Sequence, residues 1–181
     1  MKSRRVPLKS QRGSSLLEFT LVGIGIMFVL ISVFEISRAM WVYNTLAHAA
    51  KQAVRFAIVH GSNCDGACTK TVAQIADEIA LNGVGLETDQ LQVRMATGCG
   101  GAPDSSNKGC SETPSYATLD SLRQINTRWP PEGNNAMFSN IEIELRYPFR
   151  SALAMFWPGA GPGTVYGTIT LGALAREMIQ Y

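Results

Sequence analysis

Residues 14–34 form 21 consecutive positions of almost wholly apolar sequence, and Glu18 is their only ionisable side chain. A helix rises ~1.5 Å per residue and the hydrocarbon core of a bilayer is ~30 Å thick, so about 20 such residues span it. The pattern then passes without a break into an amphipathic stretch, Glu35 to His60. Arg12 to His60 therefore reads as a single helix of ~70 Å, half in lipid and half standing clear of it. The remaining sequence must fold as a domain on the emergent half.

The flanks orient the span. Lys2, Arg4, Arg5, Lys9 and Arg12 precede Gly13 with no acid among them, whereas Glu35 and Arg38 cancel beyond the run. Positive charge is retained on the cytoplasmic side, which places the N-terminus inside and sends the later residues across. A cleaved secretory signal has a shorter apolar core followed closely by a small-residue site. Here the run leads straight into helix, and Ala47-His48-Ala49 lies too far downstream to serve as that site. Glu18 is the exception within the span. A carboxylate costs roughly 2.5–3.5 kcal/mol at the bilayer centre and less near an interface. It reads either as a tolerated interfacial acid or as one that meets a partner charge. A new amino terminus made by cutting after Gly13 would supply that charge.

At these residues the chain resembles a known family. Gly13-Ser14-Ser15-Leu16-Leu17-Glu18-Phe19 is similar to the processing site of Flp-type prepilins: a glycine, four residues, then Glu-Phe or Glu-Tyr. Val33-Phe34-Glu35-Ile36-Ser37-Arg38, Tyr43-Asn44-Thr45-Leu46 and Ala49 to Ala57 resemble the TadE-like pseudopilins of tight-adherence pilus systems. Ile141 to Phe149 and Leu174 to Met178 resemble that family's C-terminal strands more loosely. The resemblance implies cleavage between Gly13 and Ser14 by a prepilin peptidase of the inner membrane. It also gives Glu18 a role in recognition by the peptidase or in pairing with a neighbour's N-terminus. A residue without a side chain suits such a site, because it permits close backbone approach. Ser14 departs from the phenylalanine usual after the cut in type IVa pilins and type II secretion pseudopilins. Phe19 points instead to the Flp branch, and the chain's length favours a minor, TadE-like subunit over the much shorter major Flp pilins.

Charge narrows the partners. The chain has 16 basic and 14 acidic residues; five of the basic ones lie before Gly13, which leaves the remainder with a net charge of −3. That composition excludes a nucleic-acid-binding surface, which needs clustered positive charge. Residues 36–181 are numerous enough to bury a sizeable core.

In the emergent helix, Ile36, Met40, Tyr43, Ala47, Ala50, Val54 and Ala57 recur at spacings of three and four. They form one face, either the core-facing side of the domain or a seam against other subunits, and the need of a sheet for a cover favours the core. Glu35 and Arg38 can pair at i,i+3 at the water boundary. Gly61 is a C-cap candidate. Thr69 or Thr71 caps a second helix running to about Leu81 with Val72, Ile75, Ala76 and Ile79 inward, and Gly83 ends it. Leu86–Ala96 reads as a strand, and Leu119, Leu122 and Ile125 suggest a short helix. Asn140–Tyr147 is the clearest strand. Ile141, Ile143, Leu145 and Tyr147 alternate with Glu142, Glu144 and Arg146, which reads as a solvated face, and Pro148 ends the pattern. Thr164–Leu174 reads as an antiparallel partner.

Phe149, Leu153, Met155, Phe156 and Trp157 lie outside this periodicity. They suggest a membrane-interface or subunit-docking patch, or else a loop tucked over the sheet edge. Cys64, Cys68, Cys99 and Cys110 all lie beyond the span in turn-rich sequence. In an oxidising compartment an even set reads as two disulfides with three connectivities, and local closure favours Cys64–Cys68 with Cys99–Cys110. The rival is a metal site of His60, Cys64 and Cys68 completed by Cys99 or Cys110, although zinc sites more often use tighter pairs. No catalytic triad, phosphate-cradling loop or metalloprotease motif is present, so neither an enzyme nor a cofactor is expected.

These readings give an α+β, pilin-like chain. It has a basic cytoplasmic leader (1–13), a transmembrane helix (14–35), its amphipathic continuation (36–61) and an extracytoplasmic domain with an antiparallel sheet (62–181). The resemblance implies a single-pass inner-membrane protein that assists or enters a surface pilus. Its partners would be the peptidase, other pilin and pseudopilin subunits, the inner-membrane assembly platform and membrane lipid. The alternatives are a pilin or pseudopilin of another type IV pilus or type II secretion system, and an unprocessed membrane-anchored periplasmic binding or adhesin domain.

Overall fold

A computed structural model of the chain describes residues 14–59, 70–97, 115–131, 140–151 and 168–179. A 45-residue helix, α1 (Ser14–Ile58), occupies the apolar run and the amphipathic stretch as far as Ile58, and Val59 is already a turn. It is followed by α2 (Val72–Asn82), β1 (Gln92–Thr97), β2 (Ala117–Thr118), α3 (Leu119–Leu122), β3 (Asn140–Arg150) and β4 (Thr168–Met178). The strands form one antiparallel sheet in the order β2-β1-β3-β4. The architecture is α+β: a long N-terminal helix carrying a four-stranded sheet and short helices.

Thr71 starts α2 through a capping box. Its hydroxyl accepts from the Gln74 N–H at 3.3 Å, and the Gln74 side chain accepts from the Thr71 N–H at 3.1 Å, so two otherwise orphaned donors are satisfied. The next two amides donate to Thr127 and Ile125 carbonyls at 2.9 and 3.0 Å, which fastens the segment after α3 to the start of α2. Val72, Ile75, Ala76 and Ile79 are the buried face, and the Gly83 N–H closes the helix on the Ile79 carbonyl at 2.8 Å. The sequence reading holds for the cap at Thr71, the buried face and the end at Gly83; the capping box with Gln74 and the bonds to Thr127 and Ile125 are added by the structure.

The inward sheet face carries Val93, Met95, Ile141, Ile143, Leu145, Ala173 and Ala175. It packs with α1 and α2 in one core. Alanines lie on both sides of the helix–sheet contact: Ala49, Ala50 and Ala53 on α1, Ala173 and Ala175 on β4. Small side chains on both sides favour close approach of the two backbones there.

Three sequence expectations shift. Residues 86–91 are turn rather than strand: the Leu91 N–H donates to the Glu87 carbonyl at 3.1 Å, and pairing begins only at Gln92. β3 continues through Pro148 to Arg150. Beyond Arg146 it has β4 alone as a neighbour, the edge situation in which a proline is tolerated. The last strand extends to Met178, four residues past the expected end. His60, Gly61 and residues 164–167 lie outside the described residues.

Candidate functional site

The first half of α1 is exposed around its circumference, from Ser15 to Phe34, and among the described residues no core covers it. Two of its hydroxyls are satisfied within the helix: Thr20 donates to the Leu16 and Leu17 carbonyls at 3.1 and 2.9 Å, and Ser32 to the Phe28 carbonyl at 2.8 Å. Internal satisfaction of polar groups is what an apolar solvent demands. The helix is long and apolar enough to cross a membrane once. It begins at Ser14, with Glu18 and Phe19 exposed on its opening turns. Gly13 lies outside the described residues. Gly23 and Gly25 face open space, which leaves shallow notches in the apolar surface.

Where the apolar run ends, the helix is tied to its domain. Glu35 and Arg38 approach to 4.0 Å. Arg38 does more than balance Glu35: its Nη1 donates to the Arg150 carbonyl at 3.3 Å, and its guanidinium lies 5.0 Å from the centre of the Phe149 ring. The i,i+3 spacing carried no signal of this second role, because its partners lie more than a hundred residues away in sequence. Three residues on, the Trp41 indole packs against Gly85. A side chain at position 85 would meet Trp41 Cη2 at 2.5 Å, and Gly85 has φ +81°, so both contact and backbone require glycine there.

The apolar stripe of the emergent helix divides. Ala50, Val54 and Ala57 are buried as expected and Ala47 is half-buried, but Ile36, Met40 and Tyr43 point outward. The core-facing positions are instead Val42, Leu46, Ala49, Ala53 and Ile58, with Ala39 packed against them. Between Val33 and Ala47 apolar residues surround most of the helix, so periodicity alone allowed more than one face. The sheet selects the narrower one.

Phe149, read from sequence as part of an irregular apolar patch, is buried in β3 beneath Arg38. Leu153, Met155, Phe156 and Trp157 lie outside the described residues, as do Cys64, Cys68, Cys99 and Cys110. Among the described residues no group of three or more His, Cys, Asp or Glu side chains could hold a metal ion.

The outward face of the sheet is not the solvated row that its alternation suggested. Glu142 is only 5% exposed; it accepts from Arg94 at 3.0 Å and from Arg176 Nη2 and Nε at 2.7 and 3.1 Å. Glu144 meets Arg94 at 2.9 Å and Arg146 at 2.8 Å. The register makes this lattice: Arg176 stands opposite Glu142, and Arg94 opposite Glu144. Tyr116 lies between Arg94 and Arg146, whose guanidinium carbons are 5.6 and 4.2 Å from its ring centre. Burial and a hydrogen bond to Glu144 push the Tyr116 phenol up to about 12. Burial pushes Glu144 upward, but bonds from Tyr116 and Arg146 and the charges of Arg146 and Arg94 outweigh it and hold the carboxyl below its usual range. These groups are engaged with one another, so the face is a structural clamp between strands.

Beside α2, an open groove lined by Phe56, Lys70, Asp77, Glu78 and Arg123 holds the Asp77–Arg123 pair at 2.8 Å and Lys70 over the Phe56 ring. Glu78 accepts from the Asn82 side-chain amide at 2.8 Å, so each of these groups has a partner within the fold.

The exposed helix, its glycine-glutamate start and its docked second half coincide with a family match. The family model described as TadE-like protein matches residues 13–55. Over this segment the chain is similar to that family. The match opens at Gly13 and ends at Arg55, whose side chain lies 3.9 Å from Glu177 near the end of β4. It thus spans the apolar half of α1 and nearly all of the docked half. No curated protein and no solved structure matches the chain.

Proposed function

We propose that the chain is a minor pilin-like subunit of a tight-adherence pilus. It is made as a precursor with a cytoplasmic leader, residues 1–13, and is held in the inner membrane by residues 14–35. The helix continues beyond the span to Ile58 and carries the rest of the chain on the periplasmic side. A prepilin peptidase cuts between Gly13 and Ser14, and Glu18 then lies beside the new amino terminus of a neighbouring subunit. The observation that carries this reading is the family match, which begins at the glycine of the processing motif and runs along an apolar helix that starts one residue later.

The mechanism is mechanical. A helix stored in lipid moves into a bundle of like helices, where side-chain packing replaces contact with acyl chains. The notches at Gly23 and Gly25 allow close approach within the span, and the outward row Ile36, Met40 and Tyr43 continues the apolar seam above it. The pilin and pseudopilin subunits and the assembly platform of the inner membrane are the partners in this transfer. In an oxidising periplasm, Cys64, Cys68, Cys99 and Cys110 close two disulfides. Pilus assembly in strains carrying Gly13→Ala or Glu18→Ala tests the proposal. Both variants should block assembly while leaving the protein in the membrane; normal piliation by both would indicate an unprocessed anchored domain.

A further inference from the structure

Three parts of the fold reach the same level along α1. α2 runs back toward the apolar half: it starts beside Phe56, where Lys70 covers that ring, and its closing turn Gly83-Val84-Gly85 ends against Trp41. β3 descends beside the helix, because its last residue, Arg150, bonds Arg38. β4 starts opposite it, where Thr168 pairs with Arg150, and climbs until Glu177 meets Arg55. Among the described residues, the end of the domain nearest the apolar run is thus formed by Arg38 and Trp41 of α1, the turn at Val84, and the Arg150–Thr168 end of the sheet.

The heights fix what this end faces. Arg38 lies four residues beyond Phe34, ~6 Å along the helix, and Trp41 ~10 Å. A headgroup layer adds about 5–8 Å to each side of the hydrocarbon. Helix side chains lean toward the N-terminus, which lowers the indole toward the bilayer. Trp41 is 50% exposed and Val84 66% exposed, and Ile169 and the guanidinium of Arg38 are also open. Indole and short apolar side chains beside arginines match the mixed chemistry of a lipid interface.

We propose that this end of the domain is seated in the phospholipid headgroup layer, with Trp41 and Val84 as its apolar contacts and Arg38 and Arg150 facing lipid phosphates. The inference rests on the reading of α1 as a membrane span and adds a second, shallow contact by the domain itself. That contact fixes how the domain is presented to the membrane and must be released before the subunit leaves the bilayer.

The test uses the full chain in vesicles of phosphatidylethanolamine and phosphatidylglycerol. A fluorescent amino acid is placed at Ile24, Val84 or Val59, all exposed positions, and quenching by nitroxides on lipid headgroups or deep in acyl chains is compared. The expected result is several-fold stronger headgroup quenching at Val84 than at Val59, with Ile24 quenched by the acyl-chain label. An unquenched Val84 with Ile24 still quenched overturns the headgroup contact and leaves the span intact. Equal quenching at Val84 and Val59 overturns it too, because the domain would then lie flat. An unquenched Ile24 removes the span and the inference together.

Discussion

Replacing Glu142 with alanine removes the acceptor that Arg94 and Arg176 share across three strands. Breaking a buried ion pair from one side costs about 3–5 kcal/mol, because the remaining charge stays in a poorly solvated place. Two features reduce that figure here. Arg94 keeps Glu144 at 2.9 Å, and the Arg176 side chain is 26% exposed, so its head can turn to water. We therefore expect a loss of about 2–3 kcal/mol. At about 2–4 °C per kcal/mol for a chain of this size, the melting temperature should fall by roughly 4–12 °C. Thermal unfolding of the full chain in detergent, followed by far-UV circular dichroism, reads this out. A triple replacement, Glu142→Met with Arg94→Met and Arg176→Met, should recover most of the loss, because it removes the desolvated charges together with their attraction. A single variant within about 0.5 kcal/mol of the parent would place the lattice among weak, water-screened surface pairs and refute the argument. A triple variant less stable than the single one would refute it equally.

Other consequences follow from the same packing. Leu46→Ala empties a fully buried site on α1 and should cost about 2–5 kcal/mol, whereas Ile36→Ala on the outward face should change unfolding little; the pair tests which face docks. Thr71→Ala removes the capping hydroxyl of α2 and should cost about 0.5–2 kcal/mol in the same assay, with Thr71→Ser retaining most of the stability. Glu144 has a depressed carboxyl, so its contribution is present above the ordinary carboxylate range and is lost as pH falls through its folded value; Glu144→Gln should flatten the stability–pH curve on the acid side. Tyr116 has a raised phenol, so its contribution holds below the ordinary value of 10.0 and fades as pH rises toward about 12. In an ultraviolet titration, Tyr116→Phe should remove a component that ionises near that upper value.

The elements legible in the sequence were those with a strong local cause. The apolar run could only be a helix in lipid or a buried one, and α1 covers it from Ser14. The apolar spacing of Val72, Ile75, Ala76 and Ile79 behind a threonine cap, and the alternation from Ile141 to Leu145, each gave an element and its inward face. What was not legible depended on distant residues. The inward face of α1 near Met40 and Tyr43 was decided by which residues let the sheet approach, not by period. Pro148 read as a stop because a sequence does not show that β1 pairs no farther than Arg146. The double engagement of Arg38, and the conversion of Glu142 from a solvated position to a buried acceptor, both arise from strand register. The alternation from Leu91 to Met95 drew residues 86–91 into the strand reading, but Leu91 closes a turn on Glu87 and pairing starts at Gln92.

On the proposed function, Gly13 and Ser14 mark a processed boundary at the head of α1. Mass spectrometry of the mature N-terminus, in cells with and without the prepilin peptidase of the pilus locus, tests it most directly. A chain beginning at Ser14 only when the peptidase is present is the expected result. An intact Met1 leader in both strains would contradict it, and the molecule would then act as an anchored domain that never leaves the membrane.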